Sequence, residues 1–332
     1  MAETYPELIS DGRGNLATAA SFTHLVAGTM VSQDLDAMKK LYEDFLGLET
    51  VRIAPDRMLL RDRRAKYLME NGERDFFVIE VHEVKRVEKP QKMLNHWGIA
   101  VGTREEVDRL YALAKAEKEK WHIRKMRPIT GIHESYGFFI IDQDDNWWEI
   151  ENRGTMTNEL LFAKGDYNNR TTDPAKMINP PTPIASTKSL VLGDEAFMTH
   201  GTVDVADIVK ARGFYEEVLG LRSVLRADIA QFTSGGGDFS FVGVQVGPIH
   251  VADQSADNRW ILLVSDQEEL RARHAGALAL ADKFDIRQVS DPDYQDDGSL
   301  SFQIESADSN WFEFSTRPRS YYSAPFAALA EV

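Results

Sequence analysis

From Thr23 to Met30 the chain is almost wholly apolar, a short run that reads as a buried strand. The period then changes. Leu35, Met38, Leu41, Tyr42 and Phe45 recur at helical spacing, Asp34 stands where an N-cap is needed, and Gly47 ends the run; this predicts a helix over 34–46. Residues 76–84 alternate with period two and read as a strand, and 96–102 as another. A second amphipathic helix is expected over 105–119. Residues 136–142 and 147–152 form the arms of a hairpin around Gln143-Asp144-Asp145-Asn146, whose Asp and Asn residues suit a turn. Strand, helix, strands, then strand, helix, strands again predict an α+β fold with mixed sheets.

The same order occurs twice. Phe22-Thr23-His24 is followed by Leu41-Tyr42-Glu43-Asp44-Phe45-Leu46-Gly47-Leu48, and Met198-Thr199-His200 by Phe214-Tyr215-Glu216-Glu217-Val218-Leu219-Gly220-Leu221. Asn95-His96-Trp97 then matches Asn258-Arg259-Trp260, and Asp145-Asn146-Trp147-Trp148-Glu149 matches Ser309-Asn310-Trp311-Phe312-Glu313. His96 precedes Glu149 by 53 positions and Arg259 precedes Glu313 by 54, so chance is a poor explanation. Residues 153–196 break the pattern and contain Asn179-Pro180-Pro181-Thr182-Pro183, which suits a linker. The expected organisation is an extension over 1–20, a first domain over 21–152, the linker, a degenerate second domain over 197–316 and a tail over 317–332.

Bulk composition narrows the function classes. A chain of 332 residues is long enough for two domains, and 43% hydrophobic with 27% charged residues is globular. A formal net charge of −15 argues against nucleic acid or an anionic membrane as the main partner. With no cysteine there is no disulfide, zinc–thiolate site or thiol nucleophile. Residues 1–7 carry neither a basic region nor an apolar core, and no apolar run reaches membrane-helix length, so a cytoplasmic protein is the expectation.

Three residues then carry chemistry. His24, His96 and Glu149 each lie in an apolar strand-like run, where an imidazole or carboxylate needs a partner, and a divalent metal is one such partner. Glu80, in Phe77-Val78-Ile79-Glu80-Val81, reads on its own as a residue at the exposed margin of its strand. Strand alternation places His82 on the face of Glu80. The second half keeps His200 and Glu313 but has Arg259 opposite His96; a guanidinium cannot ligate a cation, so a hydrogen-bonded His200–Glu313–Arg259 cluster without metal is expected. Trp97, Trp147, Trp148, Trp260 and Trp311 read as core packing before substrate platform.

The strand–helix–Phe-Leu-Gly-Leu opening and the Asp-x-x-Asp-Asn-x-x-Glu-Ile close over 142–150 resemble the vicinal oxygen chelate superfamily. That superfamily includes glyoxalase I, fosfomycin and bleomycin resistance proteins, methylmalonyl-CoA epimerase and extradiol dioxygenases. The resemblance covers residues 20–152 and 197–316 and implies four βαβββ modules paired into two cupped mixed-sheet domains. It implies a metal held by His24, His96 and Glu149, and, by likeness to glyoxalase I, Glu80 as a fourth ligand. Four modules in one chain resemble the extradiol enzymes most. Their helper residues are not matched, since Phe76 and Phe139 stand where that likeness expects a histidine and a tyrosine. His82, His133 and Tyr136 are the remaining candidates for proton transfer, each with a surface role as the alternative.

The implied activity is that of a metal-dependent, dioxygenase-like enzyme, Fe(II) favoured over Mn, Zn, Ni or Co. It would take a small bidentate aromatic diol together with dioxygen. The alternative is a glyoxalase- or epimerase-like isomerase or lyase acting on an enolisable carbonyl through an enediolate, and a third reading is a small-molecule binding protein. Sheets of this type often pair between chains, so a homo-oligomer is compatible with the sequence.

Overall fold

The computed structural model describes residues 23–62, 76–131, 135–153, 162, 165–166, 197–227, 229–235, 239–247 and 250–331. The expected extension over 1–20, most of the 153–196 segment and the candidate His133 lie outside the described residues.

The first half runs β1 (His24–Ser32), α1 (Leu35–Lys40) with a π-helical continuation over Leu41–Phe45, β2 (Glu49–Ala54), β3 (Arg57–Arg61), β4 (Val78–Glu83), β5 (His96–Ala100), α2 (Arg104–Ala116), β6 (Ile123–Met126), β7 (Tyr136–Asp142) and β8 (Trp147–Asn152). The second half repeats it with β9 (Phe197–Val205), α3 (Ile208–Gly213), a second π-helical turn over Phe214–Val218, β10 (Arg222–Ala227), β11 (Ala230–Ser234), β12 (Ser240–Gln245), β13 (Arg259–Leu263), α4 (Gln267–Ala279), α5 (Ala281–Phe284), β14 (Gln288–Val289), β15 (Asp293–Tyr294), β16 (Leu300–Glu305) and β17 (Trp311–Ser315); α6 (Arg319–Ser323) follows. Among the described residues the strands form two mixed sheets, of nine and eight strands, as paired βαβββ modules do. No helix among the described residues is long and apolar enough to cross a membrane.

The local signals act as expected. Asp34 accepts from the Ala37 N–H at the start of α1, and Gly47, at φ 69°, supplies the left-handed residue that ends the helical run. Thr103 caps α2 by accepting from the Glu106 N–H. The hairpin arms coincide with the expected β7 and β8. The pattern missed β2, β3 and β6; β2 and β6 carry exposed or half-buried charges, which blur the alternation.

Contacts divide the chain into two compact units, one of Met30–Thr157 with Asn168–Thr202, the other of Met1–Thr29, Asn158–Tyr167 and Val203–Val332. In the first unit β2, β3 and β4 form an antiparallel meander. Strand β5 lies between β8, parallel to it, and the first residues of β9, antiparallel to it; β7 and β6 continue beyond β8. The core beneath packs Tyr42, Phe45, Phe138 and Trp148, all fully buried. In the second unit β13 takes the place of β5, with β17 parallel and β1 antiparallel beside it. There β10, β11 and β12 form the meander, and Phe241, Phe302, Phe312 and Phe314 fill the core.

The turn that aims β8 is held by one buried carboxylate. Asp142 Oδ1 accepts from the backbone N–H of Asp144 and of Asn146, both at 2.9 Å, and Oδ2 accepts from the side chain of Asn146. The Asn146 amide also donates to the Val31 carbonyl at 3.0 Å, tying the turn to the end of β1. Burial and then the neighbouring Asp144 push the Asp142 carboxyl up to about 7, against these hydrogen bonds. A carboxyl ionising at about 3.9 in the unfolded chain and about 7 in the fold favours the folded state most when both are protonated. That contribution is lost as pH rises from about 4 to about 7, on the order of 4 kcal/mol in all. We expect the Asp142 carboxyl carbon to titrate near pH 7 by NMR; a midpoint below 4 would contradict this account.

Candidate metal centre

The site is built on one rung of the first unit. Gly98 on β5 lies opposite Glu149 on β8 and opposite His200 on β9. His96, two residues before Gly98, shares its face of the sheet. His96 and His200 are buried, and Glu149 keeps 15% of its side chain exposed, so the cluster opens on one side.

Three ligating atoms converge. His96 Nε2 and Glu149 Oε2 are 3.1 Å apart, His96 Nε2 and His200 Nε2 3.2 Å, and His200 Nε2 and Glu149 Oε2 3.2 Å. With metal–ligand bonds of about 2.1 Å, adjacent ligands lie about 3.0 Å apart in an octahedron and about 3.4 Å apart in a tetrahedron. The three edges lie between the two values.

The tautomers fix the sign of the site. His96 Nδ1 is 2.5 Å from the Met93 carbonyl, which can only accept, so Nδ1 carries the hydrogen. His200 Nδ1 faces the Glu151 carboxylate at 3.3 Å, with the Thr199 hydroxyl 3.0 Å away, and carries its hydrogen likewise. In the neutral imidazoles both Nε2 atoms are then lone pairs, and they meet a carboxylate oxygen. Three acceptors facing one point require a cation, either a proton or a metal. Burial works against charge on His200, but Glu151 and Glu149 raise its pKa above the usual imidazole value. Burial alone would raise Glu149, but hydrogen bonds from His200 and His96 hold it well below the usual carboxylate range. Among the described residues no other group of three or more His, Asp or Glu gathers in this way.

The expected trio is therefore corrected at one member. His96 and Glu149 come together as the sequence predicts, but His200 is the third residue and His24 is not in the cluster. The reason is strand pairing: the antiparallel neighbour of β5 is β9, whereas β1 lies against β13, with His24 opposite Leu263. Strand pairing also sets the register of the internal repeat. His24 and Phe197, Leu35 and Ile208, and Glu49 and Arg222 open corresponding elements, each pair 173 positions apart. The counterpart of His24 is thus Phe197, and that of His200 is Ala27. A signal was present in the sequence: His24 stands 23 residues before Gly47, but His200 stands only 20 before Gly220.

The other candidates lie elsewhere. Glu80 is buried rather than at an exposed strand margin, and its carboxylate is 3.1 Å from His82 Nε2 and outside the cluster. Tyr136 donates from its hydroxyl to Asp108 at 2.7 Å, and that bond, ahead of burial, raises its pKa. Phe139, where the extradiol likeness expects a tyrosine, packs edge-on against His96 at 5.0 Å and lies opposite Glu149 on β7. Sequence reasoning gave no role to Gly98, Glu151, Thr199 or Thr202; the Thr202 hydroxyl lies 3.0 Å from His96 Nε2.

The second unit has the same rung with different chemistry: Ala27, Ile261 and Glu313 lie abreast where the first has His200, Gly98 and Glu149. Arg259 stands at the position of His96, with Nε donating to Glu313 at 2.6 Å and Nη1 donating to the Ala256 carbonyl at 2.9 Å. The guanidinium thus makes the contacts of His96, which meets a carboxylate and the carbonyl three residues before it. The Arg259–Glu313 half of the expected cluster forms, and His200 is the part that lies elsewhere.

Residues 21–150 match the profile of the Glyoxalase/Bleomycin resistance protein/Dioxygenase superfamily. Among solved structures, glyoxalase I from Zea mays is similar with a TM-score of 0.55 at 15% identity, covering 93% of this chain and 95% of that one. A candidate dioxygenase from Bacillus subtilis is similar with a TM-score of 0.51 at 14% identity, covering 90% of this chain and 87% of that one. At such identities the likeness is one of fold. No curated protein matches the chain significantly. Residues 21–150 thus carry the profile of that superfamily, and the chain as a whole shares the fold of these solved structures.

Proposed function

We propose that the protein is a metal-dependent, dioxygenase-like enzyme that binds Fe(II) through His96, Glu149 and His200 and acts on a small aromatic substrate with two adjacent oxygens. The observation that carries this reading is the convergence of two imidazole lone pairs and one carboxylate on a single point, open on one side. Two neutral nitrogens and one carboxylate on one face are the donor set suited to non-haem Fe(II) with positions left for substrate and dioxygen. No second carboxylate joins them as a fourth ligand among the described residues, which favours this reading over the glyoxalase-like one with Glu80 as a ligand.

When bound, a divalent ion supplies Lewis acidity and lowers the pKa of a coordinated substrate hydroxyl. The protein contributes the rest. Glu149 supplies one negative charge, and the Met93 carbonyl and the Glu151 carboxylate hold the two rings with Nε2 facing the same point. Phe139 presents an apolar ring edge beside His96.

Protein loaded anaerobically with Fe(II) is expected to consume oxygen with one or more of a panel of catechols and hydroquinones, followed with an oxygen electrode. No uptake with any of them, together with anaerobic turnover of a thiol adduct or an acyl-CoA, would replace this reading with the isomerase or lyase one.

A further inference from the structure

We propose that Glu151 is a positioning residue, committed to holding His200 in the orientation and tautomer that a metal needs; the inference rests on the metal reading of the site. Glu151 is 3% exposed, and an ionised side chain so placed is costly unless it is partnered. Its Oε1 lies 3.3 Å from His200 Nδ1, accepts from the Thr199 hydroxyl at 3.3 Å, and is 3.5 Å from Arg153 Nε. The Thr199 hydroxyl is in turn 3.0 Å from His200 Nδ1. His200 is therefore braced by a carboxylate and a hydroxyl, while the Nδ1 of His96 meets a neutral carbonyl. A carboxylate behind an imidazole makes it a stronger donor and locks which nitrogen faces the ion.

The internal repeat supplies a control within the same chain. Where the first unit has His200, Thr199 and Glu151, the corresponding positions of the second hold Ala27, Val26 and Ser315. Arg153 alone of this group is kept, as Arg317, and there it pairs with Asp297 at 2.8 Å. The carboxylate and the threonine are thus absent from the repeat that lacks the histidine. A residue kept for the packing of the fold would be needed in both repeats, since both build the same rung.

The test compares wild type with Glu151→Gln and Thr199→Val, titrated with Co(II) or Mn(II) at pH 8.5, where protons compete least for His200. Glu151→Gln is expected to weaken metal binding about 10- to 100-fold, with no loss of thermal stability in the metal-free protein. In the Co(II) protein, paramagnetic NMR should show two exchangeable imidazole N–H signals. The substitution should shift or remove the one from His200 and leave the one from His96. Thr199→Val should move the same signal by less, and it carries the test alone if Glu151→Gln does not fold. Unchanged affinity and an unmoved signal would overturn the inference, as would a drop in metal-free stability without a change in affinity. Failure of the wild type to bind any divalent ion would instead overturn the metal reading itself.

Discussion

His200→Ala is expected to abolish metal binding and activity, whereas His24→Ala should leave both as in the wild type. His200 Nε2 supplies one corner of a triangle whose edges are 3.1, 3.2 and 3.2 Å. Removing it leaves one imidazole and one carboxylate, too few to hold a divalent ion against water. The loss should exceed the roughly 100-fold that removal of an outer partner brings. His24 opens β1 opposite Leu263 and is outside the cluster, so its truncation touches none of these atoms. Equilibrium dialysis of both variants against Mn(II) separates the cases. Retention of metal by His200→Ala and its loss in His24→Ala would restore the trio expected from the sequence.

The second large effect is expected at a residue without a side chain. A Cβ on Gly98 would lie 2.2 Å from His200 Cε1 and 2.3 Å from Nδ1, well inside contact distance. Neither the sheet backbone nor the braced ring has room to give, so Gly98→Ala must displace the imidazole. A misplacement of about 1 Å costs on the order of 100-fold in rate, and overpacking of this kind costs about 1–3 kcal/mol of stability. The second unit shows the complementary solution, with Ile261 opposite Ala27 on the same rung. Bulk sits on the other strand of the pair there, and the histidine is absent. Metal affinity and kcat/KM of Gly98→Ala should both fall; a variant with wild-type values would show that His200 is not held against Gly98.

Much of this was legible in the sequence, and what was not has a physical cause. The hairpin arms around Asp142 and Trp147, the capped helix at Asp34 and the twofold repeat are local or periodic signals, and the structure follows them. His96 and Glu149 were found because they sit in parallel neighbours of one module. The third member of the cluster was not, because it depends on which strand lies on the other side of β5. That choice joins residues 104 positions apart, His96 and His200, and no local pattern encodes it. The likeness of Thr23-His24 to Thr199-His200 is three residues out of register, since His24 is the first residue of β1 and His200 the fourth of β9. Arg259 stands at the position of His96 on the second rung, where a guanidinium cannot itself ligate a cation.

The most direct test of the central claim is a count of bound ions and of the histidines around them. Anaerobically loaded protein should hold one divalent ion per chain, and pulsed EPR of the Mn(II) form should detect two imidazole nitrogens, a signal that is absent in His200→Ala because that variant holds no ion. Two ions per chain, or two imidazoles still present in that variant, would contradict the account.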